Sequence, residues 1–337
     1  MKIVVDDKIP YIKGQVEKIA DEVVYLSGNS FTNELVKDAD ALIVRTRTAC
    51  NRRLLEGSHV KFIATATIGY DHVDVEYCRE AGIEWTNCPG CNAGSVEQYI
   101  HSALLLLKRK KGLQLRNATL GIVGVGHVGS RVQRMAEDLG MKVLLNDPPR
   151  ADRGEDGFVD LFTIAKECDI VTFHTPLNRQ GKYCSFHLAD EAFFSSLERV
   201  PYLINSSRGE VVDTDALLAA LKKGRVKGAI IDTWENEPDI NRELLGMAFL
   251  ATPHIAGYSA DGKANATRMS LEALCRFWGL NVEFDIVPPD YVDIQYSADK
   301  EEACLQAYNP TRDSEWLKAE PEKFEWFRGN YPLRREF

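Results

Sequence analysis

Four polar residues in the second half of the chain stand just after apolar runs. Thr175 follows "IVTFH", Arg208 follows "PYLINSS", Asp232 follows "KGAII" and His254 follows "FLATP". Glu237 lies in "DTWENEPD", just past Asp232. Such runs predict strands of a parallel sheet, and ligand-binding groups gather at the carboxyl ends of those strands. An arginine, a carboxylate and a histidine in one cleft suit the binding and oxidation of a 2-hydroxy acid.

Each member of this set has a distinct chemical role. Arg208 presents a planar fork that grips a carboxylate in a way that lysine cannot reproduce. His254 is a base for the hydroxyl proton, and Glu237 is placed to orient the imidazole and stabilise its protonated form. Each residue alone also has an ordinary structural explanation: an ion pair, a capped turn before Pro238, or a hydrogen-bonded histidine. Their order along the chain, after a nucleotide-binding motif, favours the functional interpretation.

The nucleotide-binding motif is "ATLGIVGVGHVGSRVQRMAEDLGMKVLLND", which contains Gly124-x-Gly126-x-x-Gly129 between a strand pattern and a helix pattern. Asp147 ends the next strand pattern, near the expected spacing of about 20 residues after the glycines. The helix N-terminus favours a diphosphate, and the acid favours the ribose hydroxyls of NAD over the 2′-phosphate of NADP. Arg150 slightly weakens that preference. The alternative, in which the glycines serve packing only, fits this full context less well.

Two series of short β-branched runs alternate with longer helical patterns. The first is "KIVVD", "VVYL", "ALIVR", "KFIATAT" and "IEWTN", and the second is "TLGIVGVG", "KVLLND", "DIVTFHTP", "PYLINSS", "KGAIIDTW" and "FLATPHI". This alternation predicts two parallel sheets covered by helices. A helix that opens near Ala93 links the two series, and a helix over roughly 259–279 returns the chain to the first.

The predicted fold is therefore α/β, with two Rossmann-like, doubly wound parallel-sheet domains and an active-site cleft between them. Residues 1–95 and 258–280 are predicted to form a discontinuous substrate-binding domain. Residues 96–257 are predicted to form the NAD-binding domain.

Residues 281–337 have a different character, with much charge, many aromatics and little periodicity. Trp316, Trp326 and Phe327 would be costly to leave in water. This region is predicted to be a small appended α+β element that packs on a second subunit. Packing on its own chain is the alternative.

Composition excludes several classes of protein. The formal net charge of -9 over 337 residues, with no basic stripe, disfavours nucleic acid and anionic membranes as partners. "MKIVVDDK" has too short an apolar run for a signal peptide, and no run is long enough to span a bilayer. The eight cysteines are scattered, which predicts reduced thiols in a cytoplasmic protein. Cys88 and Cys91 lack the second pair that a structural zinc site needs, so they are interpreted as loop residues, with a redox pair as the alternative.

Over about its first 280 residues the chain resembles the D-isomer-specific 2-hydroxyacid dehydrogenase family. The matching stretches are "GIVGVGHVG", "INSSRGEVVDTDAL", "DTWENEP" and "TPHIAGYS", with "ATIGYDHVD" and "CPGCNAGSVEQY" upstream. The resemblance implies a catalytic trio of Arg208, Glu237 and His254. It also implies NAD as cofactor, and the full predicted cofactor set is Gly124, Gly126, His127, Val128, Gly129, Asp147, Thr175, Ser207, Asp232 and Gly257.

The stretches "NDPPRADRG" and "AYNPTRDS" are similar to members of the family that act on a small phosphorylated hydroxy acid. This closer resemblance implies that Thr46, Thr67 and Tyr258 contact the substrate and that the C-terminal region forms a homodimer. Arg45 and Arg47 flank Thr46 and are predicted to bind the phosphate. A solvated loop explains these two arginines equally well.

Two other functions stay open. Another member of the same family, such as a hydroxypyruvate or glyoxylate reductase or a 3-phosphoglycerate dehydrogenase, differs in only a few substrate-contacting side chains. A protein of another class, which senses NAD without turnover, is also possible because a fold does not fix a function. The trio of arginine, glutamate and histidine argues against the sensor.

Overall fold

The computed structural model describes residues 1–288, 296–332 and 334–336 of the chain. Its strands, in chain order, are β1 Lys2–Asp6, β2 Glu22–Leu26, β3 Ala41–Val44, β4 Phe62–Thr65, β5 Glu84–Thr86, β6 Thr119–Val123, β7 Lys142–Asn146, β8 Ile170–Phe173, β9 Tyr202–Asn205, β10 Gly228–Ile231 and β11 Leu250–Ala251. Each of these strands lies in one of the runs from which it was predicted, except that β2 begins one residue earlier, at Glu22.

The helices flank these strands along the chain. They are α1 Asn33–Val36, α2 Arg52–Leu55, α3 Val75–Ala81, α4 Ala93–Lys111, α5 His127–Asp138, α6 Pro148–Ala151, α7 Leu161–Glu167, α8 Glu191–Ser195, α9 Thr214–Lys222, α10 Arg242–Met247, α11 Ala260–Trp278, α12 Lys300–Ala307, α13 Thr311–Ala319 and α14 Phe324–Gly329. The predicted linking helices, near Ala93 and over 259–279, are α4 and α11. Asp, Asn or Ser side chains cap many of these helices; Ser259, for example, accepts from the Gly262 amide at the start of α11.

The chain divides into two compact units. The first takes in Met1–Asn92 and, of the described residues, 259–288; the second takes in Ala93–Tyr258 and the described residues from 296 onward. Both boundaries lie within three residues of the prediction. The C-terminal region, 281–337, does not form a third unit. Its described residues up to 288 belong to the first unit, and those from 296 onward belong to the second.

The first unit is built on a five-stranded parallel sheet with the order β2-β1-β3-β4-β5. Strands β3 and β4 are buried along their whole length, as expected when helices cover both faces. Helix α11 belongs to this unit, and its apolar face packs with β1, β3 and β4 in one core. The carboxyl ends of β1, β3 and β4 therefore lie next to each other.

The second unit is built on a six-stranded parallel sheet with the order β11-β10-β9-β8-β6-β7. The order reverses between β6 and β8, since the chain runs outward from β6 to β7 and then returns to the other side. A crevice at such a switch point is where open α/β sheets bind ligands. The sheet edge that carries the carboxyl ends of β6, β8, β9 and β10 positions the predicted site.

The C-terminal region corrects one prediction. It is helical in its described residues, which contain α12–α14 and no strand longer than a single bridging residue, so an α+β element is wrong. Part of it packs on its own chain: the Ser314 hydroxyl accepts from the Ala251 amide of β11, and the Ser102 hydroxyl of α4 donates to the carbonyl of Tyr308. Residues 289–295, 333 and 337 of the predicted element lie outside the described residues.

No helix in the described ranges is long and apolar enough to cross a membrane. The eight cysteines, all of which are described, are free thiols. Cys88 and Cys91 are buried in a turn, and no cluster of potential metal ligands occurs in the parts of the chain that the structure describes. Both cysteines lie in the loop between β5 and α4.

Candidate active site

Asp232 organises the loop that follows β11. Its side chain is 1% exposed, and its carboxylate accepts from the Thr252 hydroxyl at 2.6 Å and from the amides of Ile255 and Ala256 at 2.8 and 3.0 Å. Burial raises the pKa of this carboxyl, against the lowering effect of His254 and of these hydrogen bonds. The role of Asp232 in cofactor binding stays a prediction, and the geometry adds a structural role in the loop that carries the histidine.

His254 and Glu237 form a hydrogen-bonded pair. The imidazole Nδ1 lies 2.8 Å from Glu237 Oε2 and 3.1 Å from Oε1. Burial acts to raise the pKa of Glu237, but the hydrogen bond and charge of His254, the Trp234 amide and the Arg328 charge outweigh it, so the pKa is lowered. With Nδ1 engaged in this pair, Nε2 is the ring nitrogen left for a ligand.

The backbone has a positive φ at His254 and at the residue before Glu237. His254 has a φ of 56°, and Asn236, directly before Glu237, has a φ of 61°. Residues other than glycine seldom adopt this left-handed conformation, and where they do the surroundings must enforce it. For His254 the enforcing contact is the hydrogen bond from its amide to the Asp232 carbonyl.

Arg208 lies in the turn after β9, and Asn205 shapes this turn. The buried Asn205 side chain accepts from the amide and hydroxyl of Ser207 and donates to the carbonyl of Arg208. One guanidinium nitrogen of Arg208 donates to the Ser207 carbonyl at 2.8 Å, so the side chain is braced while its other donors remain for a planar anion. Asn205 was not predicted; its place in "LINSSRG", at the end of a buried strand, is the only signal in the sequence.

The residue directly after Arg208, Gly209, has no room for a side chain. A Cβ at this position would lie 2.0 Å from the main-chain carbonyl of Trp234. The Arg208 turn can therefore approach the loop that leads to Glu237 only because residue 209 has no side chain. Backbone contact thus joins the carboxylate-binding candidate to the histidine–glutamate pair.

The glycine motif after β6 has the form that a diphosphate needs. Gly124 has a φ of 90°, and a Cβ there would meet the backbone of His174 and Thr175 at 2.8 Å. A Cβ at Gly129 would lie 2.1 Å from the Gly124 carbonyl, whereas Gly126 has open space around it. Gly126 also begins α5 without any capping side chain, so the first amides of that helix face this space.

Asp147 lies at the predicted place after β7. Its carboxylate accepts from the amides of Val125 and Arg150 at 2.8 and 3.1 Å, which leaves lone pairs for ribose hydroxyls. Arg150, the residue that weakened the preference for NAD, is bound elsewhere: it pairs with Glu155 and donates to the Val125 carbonyl. The geometry favours NAD over NADP.

Three buried hydroxyls lie at the carboxyl edge of the second sheet. Within the described ranges, the buried side-chain oxygens of Thr175, Ser206 and Thr233 have no hydrogen-bond partner. They follow β8, β9 and β10. Buried hydroxyls are nearly always bonded, so an edge with three such groups is built to receive a polar ligand. Thr175 was predicted as a cofactor contact, and the other two were not.

The remaining predicted cofactor residues of this unit differ in how they are engaged. The Ser207 hydroxyl is 2.9 Å from Asn205 Oδ1, so it is occupied as a donor. His127 is exposed and Val128 is half-buried in the first turn of α5, beside the glycines. Gly257 lies just beyond the loop held by Asp232, and Tyr258 packs edge-on against Tyr331.

The predicted substrate residues of the first unit lie at the carboxyl ends of β3 and β4. Arg45 makes a two-pronged ion pair with the fully buried Asp6, at 3.2 and 3.1 Å. Thr46 and Arg47 are exposed in the same loop. The Thr67 hydroxyl donates to the Gly69 carbonyl and is 2.7 Å from Thr65 Oγ1. Arg45 thus has a structural partner that the sequence did not indicate.

The C-terminal helices bring an arginine to the site that the sequence did not reveal. Arg328 of α14 has a guanidinium nitrogen 3.7 Å from Glu237 Oε2 and 3.6 Å from Glu325 Oε1, and its side chain is 25% exposed. Burial lowers the pKa of this guanidinium, but the neighbouring Tyr258 and Glu237 raise it above its usual value. No local pattern in the charged tail distinguishes this arginine from its neighbours.

Arg334 is the second unforeseen contribution of the tail. It is 5% exposed and donates to the carbonyls of Ile255 and Ala256 and to Gln98 Oε1. Its guanidinium also lies 3.9 Å from the centre of the Tyr308 ring. The loop that carries His254 is therefore held on its amide side by Asp232 and on its carbonyl side by Arg334.

Comparison with known proteins agrees with this architecture. The family model of the D-isomer specific 2-hydroxyacid dehydrogenase NAD binding domain matches residues 96–256. The erythronate-4-phosphate dehydrogenases of Bacteroides thetaiotaomicron and Porphyromonas gingivalis are 60% and 44% identical, over all of this chain and 97% and 94% of theirs. That of Cronobacter sakazakii is 43% identical over all of this chain and 92% of its own length.

Solved structures match a smaller share of the chain. D-lactate dehydrogenase from Aquifex aeolicus, complexed with NAD and lactic acid, superposes with a TM-score of 0.70 at 27% identity, covering 83% of this chain and 96% of that one. NAD+-bound 3-phosphoglycerate dehydrogenase of Entamoeba histolytica gives 0.70 at 28% identity, with 83% and 95% covered. The second unit is thus an NAD-binding domain, and the chain belongs to the D-isomer specific 2-hydroxyacid dehydrogenase family.

Proposed function

We propose that this protein oxidises 4-phospho-D-erythronate to 3-hydroxy-2-oxo-4-phosphooxybutanoate with NAD, in the biosynthesis of pyridoxal 5′-phosphate (vitamin B6). The main support is 60% identity over the whole chain to the erythronate-4-phosphate dehydrogenase of Bacteroides thetaiotaomicron. The hydrogen-bonded pair of His254 and Glu237 at the carboxyl edge of the sheet supports the chemistry.

Arg208 binds the carboxylate of the acid in this proposal. Its braced guanidinium has donors left in one plane, which suits two parallel hydrogen bonds to a carboxylate. Binding the carboxylate also fixes the position of the neighbouring hydroxyl-bearing carbon. Holding the reacting atoms in place in this way lowers the activation barrier. The close approach at Gly209 supports placing this anchor beside the base.

His254 takes the hydroxyl proton in the oxidation and returns it in the reverse reaction. Because Nδ1 faces the Glu237 carboxylate, the ring carries its hydrogen there and presents the Nε2 lone pair to the hydroxyl. After proton transfer the imidazolium stands next to a carboxylate whose lowered pKa keeps it ionised. Glu237 acts as a positioning and charge-stabilising residue.

The cofactor side of the proposal rests on the glycine motif and the unpaired hydroxyls. The amides that begin α5 would hold the diphosphate, Asp147 the ribose hydroxyls, and Thr175 a polar atom of the cofactor. NAD supplies the hydride acceptor for the carbon-bound hydrogen of the substrate. His127, Val128, Ser207, Asp232 and Gly257 belong to the same proposed set.

We extend the substrate set to Thr46, Thr67 and Tyr258, with Arg45 and Arg47 as donors to the phosphate. The resemblance to relatives that act on a phosphorylated acid supports these residues. The buried Asp6 engages Arg45 on two of its nitrogens, which leaves the remaining N–H groups of Arg45 for the phosphate.

An activity assay with three candidate acids tests the proposal. The purified protein with NAD receives 4-phospho-D-erythronate, unphosphorylated D-erythronate or 3-phosphoglycerate, and NADH is followed by absorbance, with a keto-acid acceptor in a parallel reaction. We expect turnover of 4-phospho-D-erythronate that is lost in Arg208→Ala and His254→Ala. Preferred turnover of 3-phosphoglycerate would keep the mechanism and overturn the substrate, whereas NAD binding without turnover of any acid would favour an NAD sensor.

A homodimer in the cytoplasm is the further part of this proposal. Trp326 is 60% exposed and lies at a surface cavity of about 370 Å³ that Trp316, Phe327 and Tyr331 also line. An exposed tryptophan among half-buried aromatics is typical of protein interfaces. Light scattering should give twice the chain mass, and Trp326→Glu should lower it; a monomer at all concentrations would overturn the dimer.

A further inference from the structure

We propose that Arg328 of α14, together with the hydroxyl of Tyr258, forms the site that binds the phosphate group of the substrate. This inference rests on the proposed function and assigns its phosphate specificity to a residue of the C-terminal region. The geometry that carries it is the position of the Arg328 guanidinium, 3.7 Å from Glu237 Oε2, and the packing of the Tyr258 ring on Tyr331, three residues after Arg328.

The first step is the place of Arg328 in the site. Glu237 is bound directly to His254, so the guanidinium is one residue away from the proposed base. Tyr258 follows the loop that carries His254. Arg328 and Tyr258 are therefore both close to the proposed base, through Glu237 and along the chain respectively.

The second step is the number of donors that Arg328 retains. Its two carboxylate neighbours lie at 3.6 and 3.7 Å, which is charge-pairing distance but too long for a hydrogen bond. A guanidinium has five N–H donors, and a phosphate monoester offers three oxygens at the spacing of its fork. Arg334, by contrast, spends its donors on carbonyl and side-chain oxygens of the protein.

The third step is charge. Burial works against the Arg328 cation, but Tyr258, Glu237 and Glu325 more than compensate, so the pKa of the guanidinium is raised and it stays charged. A doubly charged phosphate would meet it at low dielectric, where charge-assisted hydrogen bonds are strongest.

The fourth step is the presence of the C-terminal region, beyond residue 280, in some relatives and not in others. The erythronate-4-phosphate dehydrogenases match this chain over its full length, whereas the solved structures of D-lactate and 3-phosphoglycerate dehydrogenases cover 83% of it. The uncovered share, about one sixth, is the size of the region beyond residue 280. Since 3-phosphoglycerate is itself a phosphorylated acid, a group on the added segment fits a phosphate that lies one carbon further from the carboxylate than in that acid.

The test compares Arg328→Ala with a matched control, Arg312→Ala. Arg312 belongs to the same region but stacks on the Trp316 ring. Values of kcat/KM are measured for 4-phospho-D-erythronate and for D-erythronate, and NADH binding by fluorescence reports that both variants are folded. We expect Arg328→Ala to lose about 10- to 100-fold more kcat/KM on the phosphorylated acid than on the unphosphorylated one, mainly through KM, with partial recovery in Arg328→Lys.

Three results would overturn the proposal. An equal loss on both acids with a displaced pH profile would make Arg328 a positioning residue for Glu237, and no loss would give it no role. A loss of discrimination in Arg45→Ala or Arg47→Ala but not in Arg328→Ala would return the phosphate to the first unit. If the wild type oxidises neither acid, the proposed function fails, and calorimetric binding of inorganic phosphate to wild type and Arg328→Ala decides the site independently: weaker binding by the variant supports it, and equal or absent binding refutes it.

Discussion

The main-chain carbonyl of Asp232 accepts a hydrogen bond from the amide of His254 at 2.8 Å. The carboxylate of the same residue accepts from the next two amides of that loop. A single buried residue at the end of β10 therefore fixes the backbone on which the proposed base stands. His254 can keep its left-handed conformation because this contact network enforces it.

Replacing Asp232 with asparagine should weaken this loop. The amide group of asparagine turns one acceptor into a donor, which would face a main-chain N–H or the Thr252 hydroxyl. We expect a loss of about 1–3 kcal/mol in the free energy of unfolding and a fall in kcat. Urea unfolding and steady-state kinetics measure both effects.

Asp160→Asn is the control for that change, since Asp160 is an exposed cap of α7 and asparagine caps a helix equally well. If Asp232→Asn matched Asp160→Asn in stability and kcat, the role of Asp232 in holding the loop would be wrong.

Glu237→Gln should show a characteristic pH dependence. The pKa of Glu237 is lowered in the folded protein, so its ionised form contributes stability above the unfolded value of about 4.3, and this contribution is lost as the pH falls through the lowered folded pKa. We expect the stability difference between wild type and variant to shrink as the pH falls from about 4.3 towards 3. Thermal unfolding across this range, with the exposed Glu283→Gln as control, would reveal it. A difference that grew as the pH fell through this range would contradict the assignment.

Gly209→Ala should separate the two loops of the active site. The added methyl would lie 2.0 Å from the Trp234 carbonyl, a rigid backbone atom, so the Arg208 turn must move. We expect a stability loss of about 1–3 kcal/mol and a raised KM for the acid, because Arg208 moves with the turn.

Gly126→Ala offers the contrast, since open space surrounds that position. It should leave stability nearly unchanged while weakening NAD binding. Equal destabilisation by the two alanines would show that the close approach at Gly209 is unimportant.

Asp147→Asn should relax the choice of cofactor. Asparagine keeps the cap of α6 but removes the charge that repels a 2′-phosphate. We expect the ratio of kcat/KM for NAD over NADP to fall by about tenfold or more. An unchanged ratio would mean that another group selects the cofactor. Lys182→Gln, at an exposed ion pair with Asp152, is the control for a charge change nearby.

The sequence allowed the sheets to be predicted well, for a physical reason. Strands that are buried on both faces consist of continuous apolar runs, and runs such as "ALIV" and "TLGIV" lie between turn residues that mark their ends. The functional groups that directly follow such runs, including Arg208 and Asp232, could be found in the same way. For these residues the local sequence is enough to predict where they lie in the sheet.

The contributions of the tail could not be predicted, because they depend on contacts distant in the chain. Arg334 meets Gln98, and Arg328 meets Glu237; neither pair has any local pattern that marks it. The buried pairing of Arg45 with Asp6 escaped notice for the same reason. Periodicity reports which face of an element is buried, and it does not report which distant side chain shares that burial.

The central claim is that hydrogen leaves the hydroxyl-bearing carbon next to the carboxylate while His254 takes the hydroxyl proton. The most direct measurement is mass spectrometry of the NADH formed from 4-phospho-D-erythronate deuterated at that carbon. The account predicts deuterated NADH from the wild type, and none from His254→Ala or Arg208→Ala under the same conditions. Unlabelled NADH from the deuterated acid, or label transfer undiminished in His254→Ala, would contradict it.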